Sequence, residues 1–206
     1  MASHVTKIVN GLVSDDNETR RQAEKAYEGA KQSSLAPLLV EMGKIVGRPD
    51  TDSGTRGIVG VFLRKLIFDL TEEDYARVPV AALNELKQQL IAGFRAETKP
   101  HTIKQICSAI ASLAQGGQWP DSASVFLTHA ERSASPAQAA AFLVLLDNLC
   151  QFANDIVAPL AGRILAFVNK GLKGPVELKL PAVKCAASLV YVFIVFVIVQ
   201  LGVCVR

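Results

Sequence analysis

Apolar residues recur at helical spacing along this chain from Val5 to Val190, and no stretch before its end alternates at period two long enough to make a strand. That pattern excludes sheets and barrels and leaves stacked amphipathic helices. Val5, Ile8, Val9 and Leu12 mark a first short helix. Residues 14–27, SDDNETRRQAEKAY, begin a second. Asp15 is expected to cap it, with Glu18 reaching back as in a capping box. Asp15 and Asp16 also set negative charge against the partly positive helix N-terminus. Ala23, Ala26 and Tyr27 share one face, while Arg20, Arg21, Glu24, Lys25 and Glu28 take the rest. The inner face is made of small residues, so a neighbouring helix can approach closely.

The pattern then repeats. Leu35, Leu38, Leu39, Met42 and Ile45 mark a third helix with Pro37 in its first turn, and residues 47–54, GRPDTDSG, form a loop. Ile58, Val61, Phe62, Leu66 and Ile67 mark a fourth, in which Gly57 and Gly60 each cost about 1 kcal/mol relative to Ala. Thr71 with Asp74 closes it and begins a connection to about Pro79. Val80, Leu83, Leu86, Leu90, Ile91 and Phe94 follow, and then Ile103, Ile106, Ile110 and Leu113 on a helix from Pro100 to Gly116-Gly117. Trp119-Pro120-Asp121 opens a shorter helix with Val125, Phe126 and Ala130. Ser135-Pro136 opens one with Ala139, Phe142, Leu143, Leu146, Leu149 and Cys150. Asp155 is expected to cap a helix carrying Ile156, Leu160, Ile164, Leu165 and Val168, stopped by Gly171. Pro175 begins the last, with Val183, Ala186, Ala187 and Val190 inward.

These helices fall into pairs. Second members beginning near residues 15, 54, 100, 136 and 175 are separated by roughly 36 to 46 residues, close to the period of about 40–47 of HEAT and armadillo repeats. Such pairs bury one face against the next and share a continuous core.

Half of the residues are apolar and a fifth are charged, which suits a helical stack, and a net charge of +3 without a concentrated basic stripe does not indicate a nucleic-acid binder. Cys107, Cys150, Cys185 and Cys204 are far apart with no C-x-x-C, so they are read as reduced core thiols rather than metal ligands or disulfides. The beginning, MASHVTKIV, lacks a secretory apolar run and looks cytosolic. His4, His101 and His129 have no acid and nucleophile partners at a recognisable spacing, and phosphate-loop, nucleophile-elbow and zinc-protease motifs are missing. Asp15, Asp16 and Glu18 are explained by capping and Glu72, Glu73 and Asp74 by a solvated helix end. The chain is read as a non-enzyme without cofactor or metal.

The word order Ser14, Asn17, Arg20, then Ala23-Glu24, after a short apolar helix, resembles the N-terminal signature of the importin-β (karyopherin) nuclear transport receptors. Gly54-Thr55-Arg56 followed by Val61-Phe62-Leu63-Arg64-Lys65-Leu66 is similar to the family's second repeat. Gln118-Trp119-Pro120 resembles the start of its fourth. Together they are most similar to the importin beta-three branch, related to receptors for ribosomal proteins, over about residues 5–190.

The resemblance implies an all-α HEAT-repeat α-solenoid of about five helix pairs, the N-terminal part of a nuclear import receptor. It implies that the second helix of each pair lines a concave surface for the GTP form of the small GTPase Ran, whose binding releases cargo. Matched positions include Arg20, Arg56, Arg64 and Lys65. Arg20 and Arg56 are read as solvated or inter-repeat hydrogen-bonding groups, and Arg64 and Lys65 as the Ran-binding pair. Implied partners are Ran-GTP, protein cargo with basic import signals, and nucleoporins, with no direct nucleic acid. The implied location is cytoplasm and nucleus. The chain departs from the family in two ways. Family members carry several times as many repeats, and Gly57 and Gly60 replace good helix formers, so that helix is expected to be loose.

The end of the chain is a separate matter. Residues 185–205, CAASLVYVFIVFVIVQLGVCV, carry no charge, and about 20 apolar residues suffice to span a bilayer. Yet Val and Ile, which favour strands, dominate. The segment reads as a membrane anchor, as a fifth-repeat helix running into unrelated sequence, or as a divergent buried helix. The expected organisation is repeats over residues 1–189 and an apolar tail over 190–206. A tail-anchored helical membrane protein and a generic HEAT-repeat scaffold are the alternative functions.

Overall fold

The computed structural model describes residues 4–132 and 135–200, so Cys204, Arg206 and the end of the apolar tail lie outside the described residues. Every regular element among the described residues is helical. In chain order they are α1 (His4–Leu12), α2 (Asn17–Ser33), α3 (Leu35–Gly47), α4 (Ser53–Phe68), α5 (Glu72–Ala76) and α6 (Val80–Ala96). Then come α7 (Pro100–Gln115), α8 (Ser122–Arg132), α9 (Pro136–Phe152), α10 (Asn154–Val157), a 3₁₀ turn (Ala158–Leu160), α11 (Ala161–Lys173) and α12 (Val176–Gln200). The second helices of the pairs are α2, α4, α7, α9 and α12, within two residues of the starts the sequence period predicts. Helix pairs stacked in this order make an all-α HEAT-repeat solenoid.

The helices form two compact units, Met1–Ala109 and Ile110–Arg206. In the first, α1 packs on α2, α3 on α4, and α3 along α6. A Cβ placed on Gly11 would stand 2.6 Å from the Cβ of Ala23, the close approach that the small inner face of α2 predicts. Leu38, Leu39, Met42, Leu63, Leu66, Leu86, Leu90 and Phe94 are fully buried here. Burial of each such side chain contributes about 1.5–3 kcal/mol. In the second unit α8 packs on α9, α11 on α12, and α9 lies along α12 over a core containing Phe126, Phe142, Leu146 and Ile164.

Several expectations need correction. The cap of α2 is Asp16, not Asp15: its Oδ2 accepts the Thr19 N–H at 2.7 Å, while Glu18 accepts from Gln22 one turn on. Thr71 and Asp74 do more than end α4. They form a reciprocal capping box that starts α5, whose Tyr75 donates to the Ile67 carbonyl at 3.2 Å. Ile58 and Val61 are exposed, and α4 buries Val59, Leu63, Leu66 and Ile67 together with Gly57 and Gly60. Those glycines permit close packing rather than looseness. A Cβ on Gly57 would be 3.3 Å from His101 Cδ2, and one on Gly60 would be 3.0 Å from Gln105 Cβ, so α7 lies directly against α4.

The single helix expected after Asp155 is three pieces. Pro159, which cannot donate a backbone hydrogen bond, sits in the 3₁₀ turn between α10 and α11. Asp155 lies inside α10 and Ala153 holds the cap position, with no side-chain bond; α11 runs past Gly171 to Lys173. The face assigned to the last helix is also wrong. Val183 and Val190 are exposed, and the inward residues are Leu178, Ala182, Cys185, Leu189 and Val192. Among the described residues no helix is long and apolar enough to cross a membrane.

Candidate functional site

The second helices of the first two pairs, α2 and α4, carry the residues matched to a binding surface. Both begin on an aspartate cap: Asp16 for α2, and for α4 Asp52, whose Oδ1 accepts the Thr55 N–H at 2.9 Å. In each case the hydrogen bond to the threonine holds the carboxyl below its ordinary value, because the charged form is the better acceptor. Both helix starts are thereby fixed, and with them the register of every side chain that follows.

Between α2 and α4 lies an open groove of about 450 Å³ lined by Arg21, Glu24, Lys25, Tyr27, Glu28, Phe62 and Lys65. Tyr27 and Phe62 meet edge to face, with ring centroids 5.8 Å apart, and the Tyr27 hydroxyl points to the Phe62 carbonyl at 3.5 Å. Burial first, and then the charges of Glu28 and Asp69, push the Tyr27 phenol above its ordinary value, so it stays neutral. Lys31 stands 5.6 Å from the Tyr27 ring centre and 3.2 Å from a Glu28 carboxylate oxygen. The result is an aromatic floor rimmed by three cations and two carboxylates. Such a surface suits non-covalent recognition of a protein with mixed, mainly acidic, charge.

The four matched arginine and lysine positions separate clearly. Arg20 is tied to its own helix start, donating to the Ser14 carbonyl at 3.0 Å and to Asn17 Oδ1. Arg56 is buried against Glu97, with Nη2 to Oε2 at 2.7 Å. Those two are structural. Arg64 and Lys65 are both exposed, but only Lys65 lines the groove; Arg64 lies outside its lining. Arg21 and Lys25, which the sequence places simply on the outer surface of α2, stand with Lys65 around the same groove. Nothing in the local sequence marks them; the packing of α2 beside α4 does.

No protein-family model matches the chain. Solved structures do match. Yeast importin-β (Kap95p) superposes with a TM-score of 0.76 over 91% of this chain at 15% identity. This is the importin-β fold. A crystal structure of importin-β in an ammonium sulfate condition gives a TM-score of 0.73 over 91% of this chain at 16% identity. Kap95p in a structure described as inducing the switch loops of RanGDP to adopt the GTP-bound conformation gives 0.75 over 96% at 15%. This chain spans about a quarter of each of those proteins, 24% in every case. At such identities the importin-β likeness establishes architecture.

Among the described residues no three His, Cys, Asp or Glu side chains gather as a metal site. Cys107, Cys150 and Cys185 are unpaired, buried thiols in the helical core.

Proposed function

We propose that this chain is the N-terminal part of an importin-β-type nuclear import receptor and that its α2–α4 groove binds Ran in the GTP form. The observation that carries the reading is the placement of Lys65 with Arg21 and Lys25 over the Tyr27–Phe62 floor, on helices equivalent to the inner helices of an importin-β fold. The solved Kap95p structure with RanGDP supports Ran as the partner. The beta-three branch is supported by Gln118-Trp119-Pro120, whose Trp119 is buried against Phe126 with ring centroids 5.5 Å apart. In this reading the protein works by binding rather than catalysis. It carries cargo with basic import signals, meets nucleoporins, and moves between cytoplasm and nucleus. Residues 1–189 are the repeat domain and 190–206 a distinct apolar tail.

The test is a titration of the chain with Ran loaded with GTP or GDP, at two salt concentrations, beside the double variant Arg64→Glu/Lys65→Glu. The GTP form binds and the GDP form binds much less; the double variant binds more weakly with unchanged helicity, and added salt weakens the parent complex. Equal binding of both nucleotide forms, or none, overturns the reading. Nucleotide-dependent binding untouched by the double variant moves the site elsewhere.

A further inference from the structure

α12 is apolar on two opposite sides, and only one of them is covered. Leu178, Ala182, Cys185, Leu189 and Val192 face inward, against α9 and α11. On the other side stand Val176 (73% exposed), Leu180 (64%), Val183 (55%), Ala187, Val190 (57%) and Ile194 (51%). Their intervals alternate four and three residues, the spacing of a coiled-coil seam rather than of a solvated helix face. At 1.5 Å per residue the stripe is about 27 Å long. A helix apolar all round belongs inside a larger assembly.

The stripe is complementary to itself. If two copies cross antiparallel about residue 185, Val176 meets Ile194, Leu180 meets Val190, and Val183 meets Ala187 of the second copy. Each of these layers joins the two alternating seam positions, as antiparallel helix pairs require, and the largest side chains never oppose each other. The charges select the same direction. Glu177, Lys179 and Lys184 flank the first half of the stripe, and no charged residue lies beyond Lys184 in α12. Parallel pairing would set Lys179 of each copy beside Lys184 of the other, twice over. Antiparallel pairing leaves Glu177 and Lys179 against an uncharged partner segment. Only the two Lys184 side chains then approach, at the rim, where long stems reach water.

We propose that the outward face of α12 pairs antiparallel with the same face of a second copy of this chain. The occupant is a copy of itself because both apolar register and charge distribution are self-complementary under a two-fold axis. A single short seam is small beside a standard interface of about 1,600 Å², so the dimer is weak and dissociates on dilution. This inference is independent of Ran binding, since α12 lies in the second unit and its readout is oligomeric state.

The experiment is sedimentation velocity on the full chain from about 1 to about 100 μM, a range that brackets a micromolar dissociation constant. The parent is a dimer at the upper end and a monomer at the lower. Leu180→Glu and Val190→Lys, both at exposed positions, each weaken association at least about tenfold by placing an unpaired charge in the seam. Circular dichroism of each matches the parent; if a charged variant loses helicity, Leu180→Gln and Val190→Gln replace the pair for the dissociation measurement. An equimolar mixture of Leu180→Glu and Val190→Lys chains regains the dimer, because only antiparallel pairing sets the new Glu against the new Lys. A parent that stays monomeric, forms larger species, or dimerises unaffected by both substitutions overturns the proposal, as does failure of the charged mixture to recover. Monomeric chain that floats with phosphatidylcholine vesicles, parent but not variants, assigns the face to lipid instead.

Discussion

Arg56 and Glu97 form an ion pair with Nη2 to Oε2 at 2.7 Å and both side chains buried. The same carboxylate oxygen accepts from Ser53 Oγ at 3.2 Å, and the other accepts the backbone N–H groups of Thr98 and Lys99 at 2.7 and 2.8 Å. Thr102 closes the cluster through Ser53 Oγ at 2.8 Å. Glu97 therefore ties the body of α4 to the start of α7. Arg56 Nε and Nη1 are buried without a protein partner, so the pair fixes geometry more than it adds stability. Replacing Glu97 by Ala strands the guanidinium and costs about 3–5 kcal/mol in a urea titration. The double replacement Arg56→Met/Glu97→Leu recovers much of that loss. If the double variant is as unstable as the single one, specific hydrogen bonding rather than stranded charge governs the site.

The two adjacent cations on α4 should differ in effect. Lys65 lines the groove with Arg21 and Lys25, whereas Arg64 does not. Lys65→Glu therefore weakens Ran-GTP binding more than Arg64→Glu does, and Arg21→Glu resembles Lys65→Glu. Association rates at low salt read this most directly, since a rim charge acts mainly on encounter. Equal effects of Arg64→Glu and Lys65→Glu would place the partner across the exposed face of α4 instead of in the groove.

Acid should loosen the helix starts. Asp16 and Asp52 sit below the ordinary carboxylate value through their hydrogen bonds to Thr19 and Thr55, and Asp74 through its bonds to Thr71. A folded-state pKa below the unfolded one means that the stabilisation is complete above about pH 4 and is lost as pH falls through the lowered values. Far-UV ellipticity followed from pH 7 to about pH 2 shows this loss. Asn at positions 16 and 52 still caps but does not titrate, so Asp16→Asn/Asp52→Asn loses less signal over the same range. An unchanged acid profile would assign the transition to other carboxylates.

Much of the fold is legible in the residues, for a simple reason. Apolar spacing reports a helix wherever one face is buried and the other wet, and the five second helices begin close to where that spacing puts them. The reading fails where this contrast disappears. Almost every position of α12 beyond Lys184 is apolar, so periodicity cannot say which face turns inward, and Val183 and Val190 were assigned to the wrong one. In α4 part of the inner face is Gly57 and Gly60, which carry no apolar signal, and Ile58 and Val61 took their place. The groove is half legible. Lys65 follows from resemblance, but Arg21 and Lys25 join it only through contact between helices separated in sequence.

Glycines in these helices should respond to alanine with opposite signs according to what stands beside them. In α2, Gly29 is exposed and a Cβ there would meet nothing within 4 Å. Gly29→Ala removes the entropic cost of glycine in a helix and stabilises the chain by about 0.5–1 kcal/mol. In α6, a Cβ on Gly93 would stand 2.7 Å from the carbonyl oxygen of Val46 and 3.4 Å from Gly47 Cα. That obstacle is backbone of α3 and cannot rotate away, so α3 and α6 must separate. The resulting strain exceeds the gain in helix propensity, and Gly93→Ala destabilises by about 1–3 kcal/mol, the usual penalty of overpacking. Urea midpoints of the two variants beside the parent give the signs directly, provided the slopes agree. Stabilisation by both would mean that α3 and α6 have room to spare, contrary to the packing seen here.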